Sequence, residues 1–166
     1  MARLTKTWME LDVASGIDEL YQEIVLDHYK RPRNHQLLQD ASLKSEGFNP
    51  FCGDRVVLTA EVSDSNRISN VGFTGQGCAI SQASASIMTG LLIGLTLEEA
   101  QELVGRFKGM MRGEELSKDE EEAMGELAAL DGVKKFPIRI KCALLGWSTL
   151  QDGIAEYRRQ HTSAAE

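Results

Sequence analysis

The sequence predicts an α+β domain: a small antiparallel sheet of about three strands with helices packed on one of its faces. Three observations carry this. The elements run in the order helix, strands, then helices, which segregates the strands into one block. The two clearest strand patterns are joined by a four-residue turn signal, "SDSN" (63–66). The 166 residues show no internal repeat and no low-complexity linker, and a chain of that length suits one domain that buries roughly 70% of its unfolded surface.

Residues 1–14 read as a loosely held arm. Ser15 with Asp18 resembles a capping box, and Ile17, Leu20, Tyr21, Ile24 and His28 then fall on one helical face until Pro32 stops the helix. "YKRPRN" (29–34) is a basic loop. "ASLKSEGF" (41–48) adds a strand to "RVVLTAEV" (55–62), which alternates and is β-branched. "RISNVGFTGQ" (67–76) is a further strand whose glycines mark a bulge. "CAISQASASIMTGLLIG" (78–94) is helical, with Ile80, Ala83, Ile87, Met88 and Leu91 as its buried stripe. Thr96 with Glu99 opens another helix, ended by Gly109. Residues 114–127 form an acidic helical stretch capped at Ser117, its run 114–122 a solvated face. Pro137 opens the last long helix, with Leu144, Trp147, Leu150, Ile154 and Tyr157 along its apolar side. The tail 161–166 is expected to fray.

Hydrophobic residues make up 42% of the chain, enough for a core that needs no metal to hold it together. The net charge of −7 argues against nucleic-acid or anionic-membrane partners. No apolar run reaches the length of a membrane span, the N-terminus has no signal-peptide pattern, and the chain reads as cytoplasmic. Three cysteines cannot all pair, so a disulfide framework is not expected. No Ser-His-Asp set, phosphate-binding glycine loop or HExxH motif appears. His28 reads as a packing residue, and His35 and His161 sit in polar segments without an evident partner.

Each cysteine lies at a boundary between elements. Cys52 sits in the turn "NPFCGD" (49–54), Cys78 follows "GQG" at a helix start, and Cys142 lies in the first turns of the last helix. Two readings stay open on spacing alone. The three thiols and Asp54, two residues after Cys52, make four donors, the number that tetrahedral zinc takes; Lys141 and Arg139 would then offset excess negative charge. Alternatively the thiols are unrelated, Asp54 is a turn residue, and the two cations are a solvated helix face.

"DHYKRPRNH" (27–35), "NPFCGDRV" (49–56), "FTGQGCAISQASASIM" (73–88) and "IKCALLGW" (140–147) together resemble the IscU/NifU-N proteins of iron–sulfur cluster assembly, from about residue 17 to 157. The long interval from Cys78 to Cys142, with 107–132 as an insertion, and Lys141 in place of a histidine resemble the SufU-type branch. The resemblance implies an IscU/SufE-like α+β fold, zinc held by Cys52, Asp54, Cys78 and Cys142, and sulfur accepted on Cys52. It implies a pyridoxal-phosphate cysteine desulfurase of the SufS type as donor, with downstream iron–sulfur assembly proteins. The alternative it offers is a scaffold for a [2Fe–2S] cluster on the same positions.

Overall fold

The computed structural model describes residues 16–165. The arm 1–14 and Ser15 lie outside it, as do the side chains of Ile17, Asp18, Leu20 and Tyr21. The described chain forms helix α1 (Gly16–Lys30), strands β1 (Leu43–Asn49), β2 (Asp54–Val62) and β3 (Ile68–Gln76), then helices α2 (Ala79–Leu92), α3 (Leu97–Met111) and α4 (Lys118–Met124). A 3₁₀ segment (Gly125–Lys135) and helix α5 (Pro137–Ala165) complete it.

The sheet is antiparallel in the order β1-β2-β3. Leu43 pairs with Ala60 and Asn49 with Asp54; on the other side of β2, Leu58 pairs with Phe73 and Ala60 with Val71. Because side chains alternate, this register gathers Leu43, Val56, Leu58, Ala60, Val71 and Phe73 on one face. That face is buried against α2 and α5, where Ile87, Met88, Ala143, Trp147, Leu150 and Ile154 complete the core. The other face carries the exposed Lys44, Glu46, Phe48 and Arg55. Its buried pair, Thr59 and Gly72, lies under the segment after α1: Leu38 N–H donates to Thr59 Oγ1 at 3.1 Å. The outer edge of β3 is closed by the same segment, Phe73 N–H donating to the Asn34 carbonyl.

Several boundaries differ from the sequence expectations, each for a physical reason. The register shift lies between Glu61 and Val62, not at the glycines of β3. Gly72 instead lets the Gln36 carbonyl lie against the strand. Helix α3 opens on the expected Thr96–Glu99 capping box but runs past Gly109 to Met111; the left-handed Gly113 (φ +90°) turns the chain. The acidic stretch is a seven-residue helix capped by Ser117, interrupted at Gly125 (φ +52°), after which the 3₁₀ segment buries Leu127, Leu130 and Val133. Helix α5 is helical through Ala165, past the expected frayed tail. There His161 stacks on Tyr157 at 3.8 Å between ring centroids. His35 likewise has a partner, edge-on to Phe73.

His28 is buried, but in a polar setting. Its ring nitrogens meet Ser86 Oγ at 2.7 Å and Glu126 Oε2 at 2.9 Å. An ionised Glu126 only accepts, so Nε2 carries a proton toward it. The basic loop is also engaged: Arg31 and Arg33 both clamp Asp27, and Arg33 N–H donates to Ser86 Oγ.

Candidate metal centre

The turn between β1 and β2 is built by Asn49 and Gly53. Asn49 Oδ1 accepts from Phe51 N–H at 3.1 Å, and its carbonyl accepts from Gly53 N–H at 2.8 Å. Gly53 takes φ +73°, a conformation that a side chain disfavours, and this reverses the chain between Cys52 and Asp54. Asp54 thus opens β2 on the helix-facing side and is buried, only 2% exposed. Cys52 stays exposed as a residue while its sulfur turns inward, 3.4 Å from Cys142 Sγ.

The other two thiols come from helix starts. Cys142 lies in the second turn of α5, fully buried. Helix α5 is held there by Ser84, whose hydroxyl donates to the Ala143 carbonyl at 2.7 Å and accepts from Trp147 Nε1 at 3.0 Å. Cys78 occupies the N-cap position of α2, and its thiol makes no capping bond. Its backbone N–H donates to Asp54 Oδ1 at 3.3 Å, and its sulfur lies 3.8 Å from Oδ2. Gly77 makes that approach possible: a Cβ there would sit 2.8 Å from the Asp54 carboxyl carbon.

Donor atoms of Cys52, Asp54 and Cys142 all lie within 4.8 Å of one another. Cys78 stands beside this group, reached through Asp54, and is not part of the tight cluster. None of the three histidines joins it. Ligands at zinc–sulfur distance from one centre, at tetrahedral angles, stand about 3.7 Å apart. The sulfur–sulfur distance of 3.4 Å and the sulfur–oxygen distance of 3.8 Å are compatible with that spacing.

A thiolate buried at this position needs a positive partner. Burial, then the hydrogen bond with Cys52, pushes the Cys142 thiol well above its ordinary value. Arg139 is held even more firmly protonated, first by attraction to Cys78 and next by its hydrogen bond to Cys142. Lys141 places its ammonium 4.0 Å over the Phe51 ring, bracing the turn that carries Cys52. Sequence reasoning passed over Asn49, Gly77 and Ser84. The glycine just before Cys78 and the serines alternating through "SQASAS" were the available signals.

Comparison with known proteins places these features in a family. The model for the NifU-like N-terminal domain matches residues 20–143, a span containing all four candidate donors. The chain belongs to the NifU-like N-terminal domain family. This NifU-like domain is 43% identical over 142 residues to the zinc-dependent sulfurtransferase SufU of Bacillus subtilis (strain 168), covering 86% of the chain and 94% of that relative. It is 41% identical over 140 residues to the iron–sulfur cluster assembly scaffold protein IscU of Streptococcus pyogenes serotype M1, covering 84% and 86%. Among solved structures, the NifU-like domain resembles FiSufU of the thermophile Fervidobacterium islandicum AW-1 with a TM-score of 0.74 and 38% identity, over 80% of the chain and 94% of that structure. No helix among the described residues is long and apolar enough to cross a membrane.

Proposed function

We propose that this protein is a zinc-dependent sulfurtransferase that accepts persulfide sulfur from a cysteine desulfurase of the SufS type for iron–sulfur cluster assembly. Cys52, Asp54, Cys78 and Cys142 would hold the zinc. Bound zinc keeps thiolates deprotonated at neutral pH and has no redox chemistry of its own.

One observation carries the assignment of Cys52 as acceptor: of the three cysteines it is the one exposed residue, while Cys78 is half-buried and Cys142 buried. The turn that carries it is therefore open to a partner, and the sulfur, which faces Cys142, would swing outward to meet the donor persulfide. Gly53, with no atom within 4 Å of the position of a Cβ, leaves the turn room to move. The exposed Phe48 and Phe51 flank it and offer apolar surface for docking. In the transfer, the Cys52 thiolate attacks the terminal sulfur of the donor persulfide. A new S–S bond forms on Cys52, the donor's S–S bond breaks, and the electron pair leaves on the donor cysteine as its thiolate.

The test is mass spectrometry after mixing with a cysteine desulfurase and cysteine. The expected result is an added sulfur on Cys52; sulfur found only on Cys78 or Cys142 overturns the assignment. Cys52→Ala should abolish stimulation of desulfurase turnover while the circular dichroism spectrum is retained. The scaffold reading draws on likeness to the S. pyogenes protein. It requires that anaerobic reconstitution give a [2Fe–2S] chromophore that survives desalting and passes to an apo-protein.

A further inference from the structure

Asn49 closes the turn that carries Cys52, yet its side chain is used at one end alone. The residue is 6% exposed. Its Oδ1 accepts from Phe51 N–H, which fixes the orientation of the amide, because only the oxygen accepts. Among the described residues, Nδ2 is the one buried side-chain nitrogen or oxygen without a hydrogen-bond partner. Leaving such a donor unpaired costs about 1–3 kcal/mol, so its presence beside a site calls for an acceptor.

The register names that acceptor. Asn49 is the cross-strand partner of Asp54, and residues so paired set their Cβ atoms about 4.5–5.5 Å apart on one face. The same face runs under α5. Leu43 lies against Gly153, and Gly47 lies against Thr149 and Leu145, so two residues further the strand reaches the level of Cys142. Asp54 Oδ1 accepts from the Cys78 amide and Oδ2 has a long contact from the Cys78 sulfur, and the carboxylate also lies among the Cys52 and Cys142 sulfurs. Carboxylates that ligate metals are themselves hydrogen-bonded, and losing such a bond weakens metal affinity about 10–100-fold.

We propose that Asn49 is a positioning residue for the site: Nδ2 donates to the Asp54 carboxylate when the cation is bound, while Oδ1 holds the turn of Cys52. One amide thereby sets the spacing between the carboxylate that stays and the thiol that accepts sulfur. This inference rests on the metal-site reading above.

A double-mutant cycle in the full-length protein tests it, with zinc affinity read by competition against a chromophoric chelator. Asn49→Ala is expected to weaken zinc binding about 10–100-fold. In an Asp54→Ala background the same change should leave the affinity unchanged, because the bond has lost its acceptor. Equal losses in both backgrounds mean a merely structural asparagine and overturn the proposal. NMR of the unsubstituted protein decides without any variant: the Asn49 side-chain amide protons should move downfield on zinc addition, and unmoved protons refute the bond. A wild-type chain that takes up no zinc sinks the metal reading and this inference with it. Wild-type uptake with an equally tight Asn49→Ala variant sinks this inference alone.

Discussion

At the scale of single residues, the site depends on small groups that let charged ones approach. Gly77 is the plainest case, since any side chain there collides with the Asp54 carboxylate and with Ser81. Gly77→Ala should force Asp54 off the Cys78 amide and cost about 1–3 kcal/mol of stability through overpacking. Purified Gly77→Ala should also retain less zinc than the wild type, measured by metal analysis; full retention would show that Asp54 does not need this position. A second residue-scale prediction concerns Asp27. Hydrogen bonds from Arg33, then Arg31, hold its carboxyl below the ordinary value of 3.8. A depressed acid stabilises the fold above its unfolded pKa, and that contribution is lost as pH falls through the lower folded value. The Asp27 carboxyl carbon, followed by NMR, should titrate below 3.8, and Arg33→Ala should move the midpoint up.

At the scale of elements, the stretch between α3 and α5 is more than a solvated addition. Its acidic helix faces water, but the 3₁₀ segment places Leu127 and Leu130 in the core with no exposure. Leu127→Ala should therefore cost about 2–5 kcal/mol in a denaturant titration, whereas a change below about 0.5 kcal/mol would mark the segment as peripheral. The reason this was not legible in the sequence is periodicity. A 3₁₀ turn does not keep the 3.6-residue pattern that marks an α-helix, and the acidic run beside it dominates the local composition. The strands and α5 were legible because alternation in "RVVLTAEV" and the Trp147, Leu150, Ile154 spacing both reflect one buried face. Helix α2 was legible only in part. Its stripe was read from apolar residues, yet Ser81, Ser84, Ser86 and Thr89 are buried as well. Those hydroxyls are satisfied by α5, by the loop after α1 and by the helix's own backbone, partners that local sequence does not display. The meeting of Cys52 with Cys142 is of the same kind: boundary placement suggested it, and only the docking of α5 on β1 brings two residues 90 apart in sequence together.

At the scale of the whole molecule, the candidate centre sits at one end of a core that closes without it. The sheet face, α2 and α5 pack around Trp147, Phe73 and Met88, all fully buried and none of them a donor to the site. A fold that owed its existence to zinc would forfeit on the order of 10 kcal/mol when stripped. On the reading proposed above, the cation would enter as a ligand of an already folded chain, and such a ligand adds about 2.7 kcal/mol at a hundredfold excess over its dissociation constant. The chelated protein should thus keep its far-ultraviolet circular dichroism and unfold in one cooperative transition at a lower temperature. Titrating zinc back should raise that temperature progressively, as linkage requires. A chelated chain that lost its helical signal at room temperature would make the metal a structural keystone. Cys52 could not then leave its neighbours to take up sulfur without endangering the fold, and because all three cysteines of the chain belong to the proposed ligand set, no other thiol could take its place and the transfer reading would fail.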